Sequence, residues 1–304
     1  TGRLQPVMSA PLVAANLRVG WMERLGAYIA LTKPRIIELL LITTVPAMVL
    51  AARGWPGTWL VVATLIGGTL SAGGANALNC YLDRDIDEVM RRTSRRPLPR
   101  HQIEPEAALV FGIALGVAGF VWLSVFTNLL AATLATGALL FYVMVYTRWL
   151  KRSSNQNIVI GGAAGAVPAL VGWAAVTGGL QLPAWILFAV VFYWTPPHFW
   201  ALALRYRNEY EAASVPMLPV TSGIASTTRQ MMLYAGLTAM TSVLLVPTAG
   251  LGWIYLLSAI GLGVWFLWHT WQVHLHPERA MVLFSQSTRY LSFLFVAVLL
   301  DVLL

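Results

Sequence analysis

The chain has 304 residues, of which 58% are hydrophobic and only 11% are charged. A soluble domain of this length needs a charged surface, so the composition excludes an ordinary soluble protein and indicates one that is embedded in a membrane. The chain has one cysteine, Cys80, which excludes an internal disulfide.

The apolar residues form nine blocks of about 17–22 residues, the length of an α-helix that crosses a hydrocarbon layer of ~30 Å. Before the first block, GWMERLGAYIALTKPR predicts an interfacial helix that is broken at Pro34. Nine transmembrane helices are then predicted, at residues 36–52, 59–79, 107–126, 129–146, 158–176, 184–204, 231–246, 251–268 and 284–304. Stretches such as GGTLSAGGANA favour close helix packing in lipid. The predicted fold is an all-α polytopic membrane protein, with an N-terminal cytoplasmic or interfacial segment at residues 1–35 and one transmembrane domain at residues 36–304.

Lysine and arginine residues are divided unequally between the two ends of the predicted helices. Of the 20 such residues, 19 lie in the N-terminal segment and the even-numbered connections, and only Arg53 lies in an odd-numbered one. Because Lys and Arg are enriched in cytoplasmic loops, we expect a cytoplasmic N-terminus, an outside C-terminus and, in a bacterium, insertion in the inner membrane. This topology accounts for the net charge of +8 without a nucleic acid partner.

The stretch NCYLDRDIDEVMRRTSRRPLPR, residues 79–100, concentrates charge directly after the second block. Asn79, Asp83 and Asp87 are four residues apart, so on a helix they lie along one face. Such oxygen ligands favour Mg²⁺, which commonly completes its shell with phosphate oxygens. The arginines that follow, with Lys151 and Arg152 after the fourth block, fit a polyanion as the other partner of the metal. The alternative is a solvated loop whose acidic and basic side chains pair with one another.

Three parts of the sequence resemble a known family. NCYLDRDIDEVMRRTSRRPL resembles the first aspartate motif of the UbiA superfamily of intramembrane prenyltransferases. YTRWLKRSSNQNIVIGGAAGAVPALVGWAAVTG and WTPPHFWALALRYRNEYEAASVPMLPV resemble, within it, the protoheme IX farnesyltransferases (heme O synthases). The resemblance implies nine helices around a central cavity that opens to the cytoplasm and sideways to lipid. It implies transfer of farnesyl from farnesyl diphosphate to a vinyl group of heme B, with water addition, giving heme O and diphosphate for heme-copper oxidases.

The resemblance also implies roles for individual residues. Asn79, Asp83 and Asp87 match the magnesium-diphosphate residues of the family, and they are expected to be catalytic together with Lys151. The residues expected to bind the diphosphate are all basic: Arg92, Arg96, Lys151, Arg152 and Arg205.

The second half of the expected site departs from the superfamily pattern. Tyr206 and Tyr210 stand where many members carry the aspartates of a second metal motif. One Mg²⁺ is therefore expected, and a second, with Glu209 as its candidate ligand, is left open. His198 follows TPP inside the sixth block, and an ionisable residue within a membrane segment is a functional candidate. We assign it to the heme side of the site with Trp194 and the two tyrosines; a hydrogen bond to a neighbouring helix is the alternative.

The expected partners are farnesyl diphosphate, heme B and the lipid bilayer, with heme A synthase or a terminal oxidase as a candidate protein partner. A UbiA-type enzyme with an aromatic or quinone-precursor acceptor is a second hypothesis, but it gives no reason for the motif WTPPHFW. A multi-pass transporter is a third. It predicts charged residues near the bilayer midplane or paired broken helices in two halves, and the sequence has no internal repeat.

Overall fold

The structure, a computed structural model, describes residues 20–304, except for the side chains of residues 35, 36 and 38–41. Within this range the chain is helical and has no β-strand. The helices are α1 Trp21–Thr32, α2 Pro34–Ala52, α3 Thr58–Leu82, α4 Arg84–Val89, α5 Pro105–Phe126, α6 Leu129–Ser153, α7 Asn157–Thr177, α8 Leu182–Arg205, α9 Arg207–Ala212, α10 Leu218–Thr221, α11 Gly223–Ala249, α12 Trp253–Leu275 and, after a 3₁₀ turn at Pro277–Arg279, α13 Ala280–Leu303. Residues 1–19, most of the predicted N-terminal segment, lie outside the described residues.

Nine helices in the described part of the chain are long, and they correspond one to one with the nine predicted spans. Eight of them are long and apolar enough to cross a membrane. The other, α2, has 19 residues, which make ~28 Å of α-helix, close to the hydrocarbon thickness of a bilayer. The prediction of an all-α polytopic fold is confirmed, and the chain is a multi-span integral membrane protein.

Several helices extend beyond the predicted blocks at their polar ends. Helix α6 runs to Ser153 instead of residue 146, and α11 begins at Gly223 instead of residue 231. The reason is that an apolar block marks only the part of a helix that lies in lipid, whereas the backbone hydrogen bonds continue into polar residues. At the N-terminal side the predicted break is present, because Lys33 has the left-handed values φ 53° and ψ 65° directly before Pro34.

The long helices form a closed ring. Each packs against the next one along the chain, and the last, α13, packs against the first, α2. Small residues allow the closest of these contacts. At the crossing of α3 and α5, a Cβ atom added to Gly74 would lie 2.7 Å from the carbonyl oxygen of Gly112. The glycines of the GGTLSAGGANA stretch therefore let two backbones touch, which is how helices commonly associate in lipid.

Candidate active site

A cavity of about 310 Å³ lies between α2, α3, α6, α7 and α8. Much of its wall is formed by small or apolar residues, among them Gly68, Ala72, Ala135, Gly165, Val171 and Val191. A second part of the wall carries the charged and polar residues Lys33, Asn79, Asp87, Arg96 and Lys151, which we call the polar end. This combination suits a molecule that has a long hydrocarbon tail and a charged head.

Asn79 and Asp87 lie in the wall of the polar end, and Asp83, which is fully buried, contacts the wall residues Asn79 and Lys151. Helix α3 ends at Leu82 and α4 begins after Asp83, so the three residues do not lie on one uninterrupted helix. Helical hydrogen bonding nevertheless continues across the break, because the Asp83 N–H donates to the Asn79 carbonyl at 2.9 Å and the Asp87 N–H to the Asp83 carbonyl at 2.8 Å. The three side chains therefore stay on one face, as their spacing predicts. All three are at most 3% exposed.

Each of these three side chains is held by a cation. Lys151 Nζ donates to Asp83 Oδ2 at 2.5 Å, and Arg96 donates to both carboxylate oxygens of Asp87 at 2.7 and 2.8 Å. Lys33 Nζ donates to Asn79 Oδ1 at 2.6 Å. Burial lowers the pKa of the Lys33 amine below its ordinary value. The acidic and basic residues thus pair with one another, as in the alternative considered for the loop, but the pairs are buried.

The donor set of the polar end fits one Mg²⁺ ion. Carboxylate and amide oxygens are ligands that Mg²⁺ accepts, and this ion usually keeps several positions for water and phosphate. One carboxylate oxygen of Asp83, Oδ1, is buried without a hydrogen-bond partner, and Arg152 Nη2 lies 4.0 Å from it. In the described residues, no group of three His, Cys, Asp or Glu side chains is placed to hold a metal without other ligands. The residues therefore fit an ion whose shell is completed by a phosphate-bearing molecule.

Arg152, predicted to bind diphosphate, lies outside the cavity wall. Its guanidinium donates to both carboxylate oxygens of Asp85 at 2.7 Å, and the side chains of Arg152 and Asp85 are 38% and 61% exposed. The Arg152 hydrogen bonds lower the pKa of Asp85 to about 2. This exposed pair lies directly beside the buried Asp83 pair, so Asp85 provides a matched control for the two buried aspartates.

The segment after α8 meets the first motif through Arg92. The backbone N–H of Arg92 donates to Glu209 Oε2 at 3.2 Å, and its guanidinium donates to the Tyr210 hydroxyl at 3.1 Å. The same guanidinium lies over the Tyr206 ring, 5.4 Å from its centroid. Arg92 and Tyr210 line the cavity, whereas Tyr206, Glu209 and the exposed Arg205 do not. The two predicted halves of the site therefore converge, and Arg92 connects them.

The UbiA prenyltransferase family model matches residues 40–296 of the chain. The chain belongs to the UbiA prenyltransferase family. Among curated relatives, the protoheme IX farnesyltransferase of Clavibacter michiganensis subsp. michiganensis is 53% identical, over 94% of this chain and 95% of that protein. The protein of the same name from a Nocardioides species is 54% identical, over 94% of both chains.

Solved structures have the same fold as this UbiA-family chain. A structure of digeranylgeranylglyceryl phosphate synthase has a TM-score of 0.76 and 19% identity, over 92% of this chain and 99% of that chain. A UbiA homologue from Archaeoglobus fulgidus, bound to DMAPP and Mg²⁺, has a TM-score of 0.63 and 14% identity, over 90% of this chain and 99% of that one. At these identities the likeness shows the fold alone.

In this member of the UbiA family, His198 lies on α8, contacts α13 and is not part of the cavity wall. Its ring stacks between Trp194 and Phe284, with both centroids 4.3 Å away, and its Nδ1 is 2.7 Å from Ser287 Oγ. Trp194 does line the cavity, and its Nε1 donates to the Ser287 carbonyl at 2.8 Å. The contacts of His198 are the ones that the structural alternative predicts, a hydrogen bond to a neighbouring helix.

Replacing His198 by alanine is therefore expected to lower stability and to leave heme binding unchanged. The variant loses a buried aromatic ring and an intramembrane hydrogen bond, together about 2–4 kcal/mol. A melting curve and a heme B titration on the same preparations measure the two properties. The exposed His276 serves as control in His276→Ala. A large loss of heme affinity with an unchanged melting temperature would instead support the predicted heme contact.

Sequence reasoning missed three residues of the cavity wall. The sequence predicts only a topological role for Lys33, yet its amine donates to Asn79, and no feature of the sequence around Lys33 indicates that contact. Tyr142 and Tyr146 were not singled out, although both precede Lys151 on α6 and line the cavity. A further hydrogen bond, from Asn79 Nδ2 to Thr147 Oγ1 at 3.0 Å, ties the same helix to the polar end.

Proposed function

We infer that this UbiA-family protein transfers the farnesyl group of farnesyl diphosphate to a vinyl group of heme B, with addition of water, and so produces heme O and diphosphate. The observation that carries this conclusion is the identity of 53% to a protoheme IX farnesyltransferase over nearly the whole of both chains. The cavity is consistent with it, because an apolar wall and a charged end suit an allylic diphosphate. Neither an aromatic acceptor nor transport is supported by such a relative.

The reaction begins when the bond between C1 of the farnesyl group and the diphosphate oxygen breaks, and the electron pair leaves with the diphosphate. Lys33, Arg96 and Lys151 bring positive charge to the polar end, where they stabilise the developing charge of the leaving group. The vinyl π electrons then form a bond to C1. Water adds to the cation left beside the porphyrin, and one proton of that water is released. The apolar wall excludes other water from the allylic cation.

The polar end is also proposed to hold one Mg²⁺ through Asn79, Asp83 and Asp87. The ion would supply further positive charge to the diphosphate when it is bound. A UbiA homologue with the same fold was solved with Mg²⁺ and DMAPP, which supports this proposal. A second ion through Glu209 has less support, because Glu209 already accepts a hydrogen bond from Arg92.

We further propose that the chain lies in the bacterial inner membrane, with its polar end at the cytoplasmic side and its C-terminus outside. The division of lysine and arginine residues supports this orientation. Residues 36–304 are proposed to act as one transmembrane domain. A heme A synthase or terminal oxidase that receives the product stays a prediction from the resemblance.

The direct experiment is to incubate membranes containing the protein with heme B, farnesyl diphosphate and Mg²⁺. Mass spectrometry should detect heme that has gained one farnesyl group and one water. Membranes without the protein, and reactions with EDTA, are the controls. A parallel reaction contains a quinone precursor in place of heme B. If only that reaction gives a farnesylated product, heme B is not the acceptor.

The apolar wall should determine which chain length is accepted. Gly165 lines the cavity, and a Cβ atom added there would have no heavy atom within 4 Å. Gly165→Leu is therefore expected to fill part of the cavity without a clash. The kcat/KM for farnesyl diphosphate should fall at least ~10-fold while that for geranyl diphosphate falls less, because a pocket discriminates by ~1–3 kcal/mol per methylene. Gly137→Leu is the control, since Gly137 also faces open space but does not line the cavity. Equal effects of both variants on both substrates would contradict this placement of the tail.

A further inference from the structure

Tyr142 and Tyr146 line the cavity but have no part in the site as described so far. Both are on α6, and their rings stack with centroids 5.3 Å apart and planes at 24°. Lys151, which pairs with Asp83, follows on the same helix. Two stacked aromatic rings thus lie in the cavity wall on the helix that brings Lys151 to the polar end.

The middle of α6 has an unusual geometry that explains this arrangement. Phe141–Leu150 is a π-helix of 10 residues, and such segments are rare and often lie at functional sites. A π-helix turns by roughly 80° per residue, whereas an α-helix turns by roughly 100°. Tyr142 and Lys151 are nine residues apart. With the π-helical turn their side chains point within about 20° of the same direction, whereas with the α-helical turn they would point about 180° apart.

The pattern of exposure along the segment agrees with the π geometry. Met144 and Trp149 are 51% and 63% exposed, on the side away from the cavity. In an α-helix Trp149 would point within about 20° of Tyr142, yet Tyr142 lines the cavity and Trp149 faces outward. The π-helix therefore places the two tyrosines and Lys151 on the cavity side together.

The tyrosine rings are seated by the neighbouring helix. A Cβ atom at Gly161 of α7 would collide with the Tyr146 ring, so the glycine leaves space for that ring. Thr147, in the same segment, accepts a hydrogen bond from Asn79. The segment is thus fixed on one side to α7 and on the other to the first aspartate motif.

We propose that the stacked Tyr142 and Tyr146 rings stabilise the allylic cation formed when the farnesyl C1–O bond breaks. This inference rests on the proposed farnesyl transfer. The negative face of an aromatic ring attracts a nearby cation most strongly where water is excluded, and rings that line the wall occupy space that water would otherwise fill. The rings therefore protect the cation until the vinyl π electrons bond to C1, and the electron pair of the broken bond stays with diphosphate, as in the proposed reaction.

A binding measurement tests this proposal without turnover. The probe is a farnesyl-chain tertiary amine, protonated at neutral pH as a mimic of the cation, and it is titrated in the presence of inorganic pyrophosphate. Farnesol serves as the neutral ligand. Tyr142→Leu and Tyr146→Leu should each reduce the preference for the ammonium over farnesol by about 3- to 30-fold, the range of a desolvated cation–π contact. Tyr142→Phe and Tyr146→Phe keep the ring and should largely retain the preference.

Turnover gives a second readout. The leucine variants should divert a larger fraction of consumed farnesyl diphosphate to farnesol, because water captures an unprotected cation. Met144→Leu, on the outward side of the same π segment, controls for disturbance of the helix. Should a leucine variant fail to fold, Gly161→Ala displaces the Tyr146 ring without removing it and is expected to lower the ammonium preference.

The outcomes separate this inference from the proposed function. If wild type makes farnesylated heme but the leucine variants keep the ammonium preference, the tyrosines do not stabilise the cation and the inference fails alone. If the phenylalanine variants lose as much as the leucine variants, the hydroxyl groups and not the rings are responsible, which also overturns it. If wild type forms no farnesylated heme, the proposed function fails, whatever the ammonium titration gives.

Discussion

Asp83→Asn and Asp87→Asn should each reduce farnesyl transfer at least ~100-fold, the scale on which removal of one electrostatic stabiliser slows an enzyme. Both carboxylates are buried, Asp87 in the wall of the polar end and Asp83 in contact with Asn79 and Lys151 of that wall, and both are proposed to hold Mg²⁺ with Asn79. Asparagine keeps the shape of the side chain but removes its charge. Asp85→Asn is the matched control, because Asp85 belongs to the same motif but is exposed and pairs with Arg152.

Stability must be measured alongside activity in these variants. Asp83 contacts Lys151 and Asp87 contacts Arg96 in buried ion pairs, and removing one partner of such a pair commonly costs on the order of 3–5 kcal/mol. The isosteric change leaves an amide oxygen for the cation to contact, so the loss should be smaller than for alanine. Melting curves in detergent, compared at matched lipid content, measure it.

Binding of a non-hydrolysable farnesyl thiodiphosphate, with and without Mg²⁺, distinguishes a metal site from a purely structural role. Wild type should bind the analogue more tightly when Mg²⁺ is present, and Asp83→Asn and Asp87→Asn should lose this increment. Folded variants that retain the Mg²⁺ increment and turn over within ~3-fold of wild type would contradict the proposed metal site.

The parts of the fold that follow from local chemistry could be predicted from the sequence. Apolar blocks specify the spans because unpaired backbone groups are too costly in lipid, so a spanning segment becomes a helix. The four-residue spacing of Asn79, Asp83 and Asp87 survives even a helix break, because the backbone hydrogen bonds continue through it. These features depend on residues that are close together in the chain.

The features that depend on packing between distant segments could not be predicted. Lys33 reaches Asn79, which is 46 residues away, and the sequence near Lys33 carries no sign of that contact. The side of α8 on which His198 lies depends on where α13 packs. The π-helix in α6 is a further example, since its residues would be read as an ordinary α-helix, which places Lys151 on the wrong face relative to Tyr142.

Replacing Lys151 by methionine should weaken binding of farnesyl diphosphate by about 10- to 100-fold, because a charge-assisted hydrogen bond contributes roughly 1.5–3 kcal/mol. Arg96→Met should have a similar effect, and the affinity for heme B should change little in either variant. Inorganic pyrophosphate and farnesyl thiodiphosphate are the ligands for calorimetry, and heme B is titrated by absorbance. Arg148→Met is the control, since Arg148 is an exposed basic residue of the same helix that does not line the cavity.

The buried pair with Asp83 complicates the single variant, and a double variant resolves it. Lys151→Met leaves the fully buried Asp83 carboxylate without its partner at 2.5 Å, so the protein should lose stability as well as diphosphate affinity. Asp83→Asn with Lys151→Met removes both charges and should recover much of the stability, because no buried charge is left unpaired. It should not recover diphosphate affinity, because the cation that meets the leaving group is still absent. A double variant that regained affinity together with stability would mean that Lys151 acts only by neutralising Asp83. A loss of heme affinity with pyrophosphate binding unchanged would mean that the polar end does not bind the diphosphate.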